Sequence, residues 1–363
     1  MDILKIIAPT VLSFFTGIFI TPFFARYFYK YKMWKKSPRT EAGDITSEHF
    51  KQIHNTEHEV STPRVGGVII HEVSTPRVGG VIIWVSVFLT VAAIYALSIV
   101  FPYERIGELS FFSRSQTVVP LGAFFLAAFI GLMDDLLQIF GQGSYAKDAL
   151  VYRKVKIVFV TLIAVSLALW FYYKLDFVAV HLPFRGDLVI GAWFIPLFVA
   201  VVLATFSTSV IDGIDGLSGG VLASCFTAYA AIAFLGHQYD ISALAGAIAG
   251  AVLAFLWFNV PPARFYMGET GMLSLTVVLA VIAFLTNAVL LLPIIALPLV
   301  VTTASDIVQI GVYKCFNKRR VFRVAPLHHH FQALGWPREK VVMRYWIVSV
   351  ICAITGVILY VVS

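Results

Sequence analysis

The chain has 363 residues, of which 59% are hydrophobic and only 13% are charged. A soluble globular protein carries about a quarter charged residues, so this composition excludes an ordinary soluble domain. The formal net charge of +7 has to be interpreted together with its distribution along the chain, because charge alone does not identify a partner.

Ten apolar segments predict transmembrane helices, because about 20 apolar residues cross the hydrocarbon core of a bilayer. The cationic run KYKMWKK follows the first segment rather than preceding it, which favours a true span over a signal peptide. The sequence predicts an all-α polytopic membrane protein that forms a single integral membrane domain over residues 1–363. The ten segments lie near residues 5–27, 78–101, 117–135, 156–173, 191–209, 217–235, 242–258, 271–290, 292–313 and 343–362.

The positive charges indicate how the chain is oriented in the membrane. Most of the 27 Lys and Arg residues lie in the loops that follow the odd-numbered segments. Because Lys and Arg are enriched in cytoplasmic loops, we expect these loops to face the cytoplasm and both termini to face outward. This asymmetry explains the net charge, so we expect the lipid bilayer and no nucleic acid as a partner. After the fourth segment, the β-branched stretch DFVAVHLPFRGDLVIG predicts a small outward β-hairpin.

Carboxylates are concentrated at the predicted cytoplasmic ends of the segments. Asp134 and Asp135 end the third segment in GLMDDLLQ, Asp212 and Asp215 follow the fifth in DGIDG, and Glu269 follows the seventh. Acidic residues beside a bilayer usually mark function. The helix dipole disfavours anions at the end of the third segment, so that pair needs a nearby cation. The DGIDG run fits an ordinary turn equally well.

Three adjacent histidines, His328, His329 and His330, lie in the basic loop after the ninth segment. A solvated loop, a metal site and an anion-binding patch are the alternatives. Zinc ligands on a helix usually stand four residues apart, so the neighbouring Lys and Arg residues favour phosphate binding. Carboxylates together with a phosphate site favour Mg²⁺, which prefers oxygen ligands and bridges to substrate phosphates. The sequence has no nucleotide-binding loop of the form GxxxxGK[ST], which argues against an ATPase.

The order of these motifs resembles the polyprenyl-phosphate sugar-1-phosphate transferases. The resemblance extends over nearly the whole chain, through STPRVGG, GLMDD, DGIDGLSGG and FNVPPARFYMGETGM. The stretch RVFRVAPLHHHFQALGWPREKVVMRYW is most similar to the phospho-N-acetylmuramoyl-pentapeptide transferases. That family implies a ten-helix fold in the bacterial cytoplasmic membrane, a cytoplasmic active site, Mg²⁺ as cofactor and a homodimer. It also implies transfer of phospho-MurNAc-pentapeptide from UDP to undecaprenyl phosphate, which gives lipid I and UMP for peptidoglycan synthesis.

The resemblance also implies roles for individual residues. The catalytic residues are expected to be Asp134, Asp135 and Glu269, and the same three are expected to bind the metal. Substrate-binding residues are expected to be Asp212, Asp215, Asn259, Tyr266, Gly268, His328, His329, His330, Arg77 and Lys154.

Three positions depart from the family pattern. Glu269 stands where the family has Asp, Ser209 where it has Asn, and Gln138 where it has Lys. Glutamate is still an oxygen ligand, but its extra methylene shifts a bound metal. The change at Gln138 removes a cation from the acidic end of the third segment, and its replacement is expected among Lys147, Arg153, Lys154 and Lys156.

A 13-residue segment occurs twice without a mismatch, at residues 58–70 and 71–83. The second copy continues into the second apolar segment, whereas the first is followed by His71 and Glu72 and cannot. We expect the second copy to be functional, with Arg77 facing the site, and the first to be an insertion in the cytoplasmic loop 28–77. A second cytoplasmic loop, 314–342, contains the histidines.

Three other functions remain open from the sequence. A UDP-GlcNAc polyprenyl-phosphate transferase is the alternative within the enzyme class, because STPRVGG is close to those relatives. An inactive relative that binds lipid-linked precursors is consistent with Glu269. A secondary transporter is the alternative outside the enzyme class. It would be expected to have internal repeats and ionisable groups near the middle of the membrane, whereas the carboxylates here lie at the predicted cytoplasmic ends of the segments.

Overall fold

The structure is a computed structural model that describes residues 2–34, 75–101, 109–113, 116–140, 149–317 and 319–363. Among these described residues, four helices precede a short hairpin and eight follow it. The first four are α1 (Asp2–Lys30), α2 (Gly80–Val100), α3 (Val118–Phe140) and α4 (Ala149–Lys174). The hairpin consists of β1 (Ala179–Leu182) and β2 (Gly186–Val189). The remaining helices are α5 (Phe194–Ser207), α6 (Leu217–Leu235), α7 (Tyr239–Asn259), α8 (Gly268–Leu285), α9 (Leu292–Ile295), α10 (Leu297–Cys315), α11 (Leu327–Ala333) and α12 (Arg338–Val362).

The number of apolar helices agrees with the ten predicted spans. Within the described residues, nine helices are long and apolar enough to cross a membrane. The segments Val289–Ile295 and Leu297–Cys315 form a further pair, bent by 79°, and the count is ten if this pair is one broken span. The prediction of an all-α polytopic membrane protein is therefore confirmed. The orientation inferred from the positive charges stays a prediction.

The predicted hairpin after the fourth span is present. Strands β1 and β2 pair antiparallel, with His181 opposite Asp187. The Nδ1 atom of His181 lies 2.8 Å from Oδ1 of Asp187, so the side chains also pair across the two strands. Phe184 has a positive φ of 66° in the connecting turn.

The core is formed by α6, α7 and α8, which are buried along most of their lengths, while α1, α4 and α12 expose much of their surfaces. Exposed apolar side chains on the outer helices, such as Phe19 and Phe23, suit contact with lipid rather than water. Helix α8 packs against α3, α2 and α5. Its first turn therefore lies inside the bundle, where several other elements can reach it.

Two glycines allow backbones to approach α8 closely. A Cβ atom on Gly80 of α2 would lie 2.6 Å from the Cα atom of Gly271. A Cβ atom on Gly131 of α3 would lie 2.8 Å from the Cα atom of Thr270. Small residues permit such contacts between membrane helices. Gly80 belongs to the second copy of the repeat, 71–83, while the first copy, 58–70, lies outside the described residues.

Candidate functional site

Asp135 binds the beginning of helix α8. Its Oδ1 accepts the backbone N–H of Glu269 at 3.1 Å, and its Oδ2 accepts the N–H of Thr270 at 2.9 Å and the Thr270 hydroxyl at 2.6 Å. The first N–H groups of a helix have no partner within the helix, and the dipole there favours an anion. Helix α3 continues to Phe140, so the expectation that the pair ends this helix is wrong and its dipole acts only weakly there. The Asp135 carboxylate is stabilised by the beginning of α8.

Gly268 makes this contact possible. It has a φ of +69°, a conformation that residues with a side chain rarely adopt. A Cβ atom there would clash with the carbonyl oxygen of Arg77 and would lie 2.6 Å from Oδ2 of Asp135. Gly268 therefore acts through its backbone conformation and its lack of a side chain.

Lys156 supplies a cation beside the acidic pair of α3. Its ammonium group, on α4, forms an ion pair with Glu269 and lies 3.6 Å from Oδ2 of Asp134. The amide of Gln138 also donates to Oδ2 of Asp134, at 3.3 Å. Lys156 was one of four expected candidates, whereas the predicted substrate-binding residue Lys154 is exposed and forms no hydrogen bond or ion pair with the described residues.

The carboxylates fit a divalent cation only in part. One oxygen of Glu269, Oε2, is buried and has no hydrogen-bond partner among the described residues, so it is available to a ligand. Both oxygens of Asp135 are already used by α8, which leaves Asp134 and Glu269 as the better metal ligands. Across the described residues, no group of three acidic, His or Cys side chains forms a metal site by itself. Mg²⁺ is commonly held by one or two carboxylates plus substrate phosphates, so two protein ligands are enough.

The second copy of the repeat lies directly beside this cluster. The N–H of Tyr266 donates to the carbonyl of Pro76 at 2.8 Å, and the N–H of Gly79 donates to the carbonyl of Tyr266 at 2.9 Å. The half-buried Arg77 lies between them, with its carbonyl oxygen against Gly268. These backbone contacts place Arg77 and Tyr266 at the edge of the carboxylate cluster, while the orientation of the Arg77 side chain toward the site stays a prediction.

The two aspartates of DGIDG are held by neighbouring segments. Oδ1 of Asp212 accepts the hydroxyl of Ser218 at 2.7 Å. Oδ2 of Asp215 accepts the N–H of Ala263 at 3.1 Å. Both side chains are half-buried. Asp215 thereby joins this turn to the loop between α7 and α8, which also carries Tyr266.

Asn259 makes a second link between the same two loops. Its Oδ1 accepts the N–H of Gly216 at 2.9 Å, and its amide donates to the carbonyl of Phe265 at 2.9 Å. The indole N–H of Trp346 donates to the carbonyl of Gly216 at 3.0 Å. Asn259 is buried, so its observed contacts are structural: they fix the positions of the turn and of the loop.

The histidines lie on the short helix α11, against the DGIDG turn. A Cβ atom on Gly213 would lie 2.5 Å from Nε2 of His328 and 3.1 Å from Nε2 of His329. His328 is fully buried, and neither of its ring nitrogens has a partner among the described residues. Burial, reinforced by the neighbouring His329, holds the pKa of His328 well below its ordinary value.

His330 has a different environment. Its Nδ1 accepts the backbone N–H of Arg323 at 3.1 Å. Burial and the Arg323 charge both lower the pKa of His330. An uncharged imidazole is thus favoured at His328 and His330, which weakens the interpretation of the three histidines as a cationic phosphate patch.

The predicted residues therefore form two connected groups. Asp134, Asp135, Glu269 and Gly268 surround the start of α8. His328 and His329 lie against the DGIDG turn, which carries Asp212 and Asp215. The loop 259–269 joins the two groups. Three residues that hold the site in place could not be found from the sequence: Thr270, Ser218 and Trp346. Their residue types gave no signal, because each contact joins segments that are distant in sequence or resembles ordinary helix chemistry.

The comparisons with known proteins agree with this arrangement. The pattern of glycosyl transferase family 4 matches residues 117–287, which include the carboxylates of both groups. A phospho-N-acetylmuramoyl-pentapeptide-transferase of Chloroflexus aggregans is 34% identical over 310 residues, covering 82% of this chain and 77% of that protein. The protein of the same name from Listeria monocytogenes is 34% identical over 232 residues, covering 63% of this chain and 70% of that protein. That of Rubrobacter xylanophilus is 40% identical over 175 residues, covering 48% of this chain and 53% of that protein.

The apolar helices, the carboxylates between them and the family match together identify a membrane-embedded transferase of the polyprenyl-phosphate sugar-1-phosphate class. Within that class, the chain belongs to the phospho-N-acetylmuramoyl-pentapeptide-transferase family.

Proposed function

We propose that this protein transfers phospho-MurNAc-pentapeptide from UDP to undecaprenyl phosphate, which yields lipid I and UMP for peptidoglycan synthesis. The observation that carries the proposal is the convergence of Asp134 and Glu269 on the ammonium group of Lys156. Two carboxylates beside one lysine form a site suited to phosphate chemistry, because Mg²⁺ is commonly held by one or two carboxylates together with substrate phosphates. Family membership supplies the reaction.

Each group of residues has a role in this proposal. Asp134 and Glu269 hold Mg²⁺, which when bound neutralises charge on the transferring phosphoryl group. Asp135 keeps the first turn of α8 in place through Glu269 and Thr270, and so positions one metal ligand. Lys156 remains close to these carboxylates as a second positive charge for the diphosphate.

The reaction exchanges one phosphoanhydride bond for another. An oxygen of undecaprenyl phosphate forms a bond to the phosphorus attached to the sugar, and the bond from that phosphorus to UMP breaks. UMP leaves with the electron pair. Catalysis of such transfers depends mainly on positioning and charge stabilisation, which fits a site built from fixed carboxylates and a lysine.

The second group of residues is proposed to bind the nucleotide sugar. Tyr266 offers an aromatic ring for the uracil, and the DGIDG turn with His328 and His329 lines the neighbouring space. We place the active site on the cytoplasmic side of the bacterial inner membrane, because the basic loops adjoin these residues and UDP-sugars are cytoplasmic. A homodimer is proposed from the family alone.

Substrate choice tests this proposal against its alternatives. UMP release is measured with undecaprenyl phosphate and either UDP-MurNAc-pentapeptide or UDP-GlcNAc. We expect release from the pentapeptide substrate and little from UDP-GlcNAc. The reverse preference would assign the alternative transferase activity. No release from either, with folded protein, would favour an inactive relative.

A matched substitution separates chemistry from stability in that assay. Asp134→Asn removes one carboxylate of the site, whereas Asp187→Asn makes the same change on the hairpin, where the side chain is exposed. We expect the first variant to lose activity by at least about a hundredfold, in the range found for essential charged groups. The second variant is expected to keep the activity of the wild type. Equal activity in both variants would contradict the assignment of Asp134.

A further inference from the structure

An apolar groove lies between helices α10, α11 and α12. It has a volume of about 270 Å³, and its walls include Leu297 and Val301 of α10, Phe331 of α11 and Val348 of α12. Leu297 is the first residue of α10 and directly follows the 79° bend in the chain. The bend turns α10 away from the preceding segment, and the groove opens beside its first turns.

The groove opens toward the bilayer rather than toward water. Leu297, Val301 and Val348 line it and are exposed, although all three belong to predicted spans. The hydrocarbon region of a membrane offers no water to fill such a space, so a hydrocarbon chain fills it instead. Pockets for small ligands measure about 300–1,000 Å³, so this smaller groove accommodates part of one lipid chain.

Two cations lie at one end of the groove. The guanidinium carbon of Arg344 is 4.1 Å from the ring centroid of Trp336, and Nζ of Lys340 is 5.1 Å from it. Both cationic side chains are exposed, and among the residues that the structure describes neither forms a hydrogen bond or an ion pair. A guanidinium that stacks on an aromatic ring keeps the N–H groups at its edge available to a phosphate. This end of the groove can therefore receive an anionic group.

One face of α12 changes from charged to apolar within two turns. Lys340, Arg344 and Val348 follow one another at intervals of four residues, so they share a face of the helix. Tryptophan and cationic side chains are typical of the level of the lipid headgroups, and apolar side chains of the level below. The order of these residues therefore matches the order of phosphate and acyl chain in a phospholipid.

The groove is separate from the carboxylate site. The indole N–H of Trp346 donates to the carbonyl of Gly216 in the DGIDG turn, so that face of α12 contacts the site. Arg344 stands two residues before Trp346, and residues two apart on a helix point in different directions. A phosphate held by Arg344 therefore lies on another side of α12 from the turn, where it is not placed to react beside Asp134 and Glu269.

We propose that the groove binds an anionic phospholipid, whose phosphate contacts Arg344 and Lys340 and whose acyl chain lies between α10 and α12. A headgroup without net charge would leave the two cations uncompensated, so phosphatidylglycerol is favoured over phosphatidylcholine. Phe331 also lines the groove and belongs to α11, the helix that carries His328. A bound lipid therefore also supports the position of this helix. The site does not depend on the proposed reaction.

Two pairs of matched substitutions test the site. Arg344→Gln removes one cation of the groove, whereas Arg320→Gln removes a cation that lies over the ring of Tyr313, outside the groove. Val348→Phe fills the groove without a change in charge, whereas Ile347→Phe adds the same ring at an exposed position that does not line it. Arg344 and Val348 are both exposed, so neither substitution is expected to prevent folding.

Binding is measured by native mass spectrometry of the full chain in detergent. The protein is titrated with dioleoyl phosphatidylglycerol or dioleoyl phosphatidylcholine, and the Kd of the first bound lipid is compared. A cation near anionic lipid contributes about fivefold, so we expect wild type to prefer phosphatidylglycerol by at least about tenfold and Arg344→Gln to bind it about fivefold more weakly. Val348→Phe excludes one or two methylenes and should weaken binding about four- to fifteenfold. Both control variants are expected to bind like the wild type.

Three results would overturn the proposal. The first is equal affinity of the wild type for the two phospholipids. The second is an equal effect of Arg344→Gln and Arg320→Gln, or of Val348→Phe and Ile347→Phe, because binding would then not involve the groove. The third is displacement of the first bound phosphatidylglycerol by an equal concentration of undecaprenyl phosphate, which would assign the groove to a polyprenyl chain. The measurement needs no turnover, so its failure and the failure of the proposed function are distinguishable.

Discussion

A methyl group at Gly268 is expected to disrupt the start of α8. Gly268 has a φ of +69°, and the left-handed conformation is unfavourable for alanine by about 1–2 kcal/mol. The methyl group would also clash with the Arg77 carbonyl and lie 2.6 Å from Oδ2 of Asp135, the oxygen that accepts both hydrogen bonds from Thr270. Loss of hydrogen bonds to a buried carboxylate adds about 1.5–3 kcal/mol. We therefore expect Gly268→Ala to lower the free energy of unfolding by about 3–5 kcal/mol.

Gly335→Ala is the matched control. Gly335 has a φ of +87°, but no atom lies within 4 Å of the position of its Cβ. Its substitution is therefore expected to cost only the conformational part, about 1–2 kcal/mol. Unfolding of both variants is followed in mixed detergent micelles with increasing SDS. Equal destabilisation of the two variants would refute the reasoning, because it would mean that the contact with Asp135 and Arg77 has no energetic effect.

Three further substitutions test the interactions that hold the site. Lys156→Met leaves the buried Asp134 and the half-buried Glu269 without their cation. It should destabilise the protein by about 2 kcal/mol, less when Mg²⁺ is added, whereas Lys154→Met should change stability by under about 0.5 kcal/mol. Asn259→Ala leaves a buried N–H and a buried carbonyl unpaired and should destabilise by about 2–4 kcal/mol in the same unfolding assay. Burial holds the pKa of His328 well below 6.5, so the unfolded chain binds a proton that the folded protein does not. Stability should fall as the pH drops below about 6.5, and His328→Leu should reduce that dependence; an unchanged slope would contradict this account.

Composition and periodicity predicted the fold well because the bilayer leaves few alternatives. Every backbone polar group in a membrane span must be hydrogen-bonded within its own helix. A long run of apolar residues therefore predicts essentially one structure, a transmembrane helix. The bend between α9 and α10 was not predicted. Pro298 stands at the start of α10, and a proline cannot donate the hydrogen bond that would continue the preceding helix. The hairpin was predicted because its alternation and its turn residues are local signals.

The site was predicted less completely, because its contacts depend on how distant helices pack. Lys154 and Lys156 are two residues apart on α4 and therefore point in different directions. Which of them meets Asp134 depends on the face that α4 presents to α3, and no local pattern encodes that face. The capping of α8 by Asp135 joins residues that are 134 and 135 positions apart. The sequence showed that the acidic pair of α3 needed stabilisation, but not that a second helix would provide it.

The central claim is that Glu269 and Asp134 form a working carboxylate pair for phosphate transfer. The most direct measurement is UMP release from UDP-MurNAc-pentapeptide and undecaprenyl phosphate as Mg²⁺ is titrated, for the wild type, Glu269→Gln and Glu269→Asp. We predict Mg²⁺-dependent release by the wild type, its loss in Glu269→Gln and its retention in Glu269→Asp. Release by Glu269→Gln with the same rate and the same Mg²⁺ dependence as the wild type would contradict the central claim.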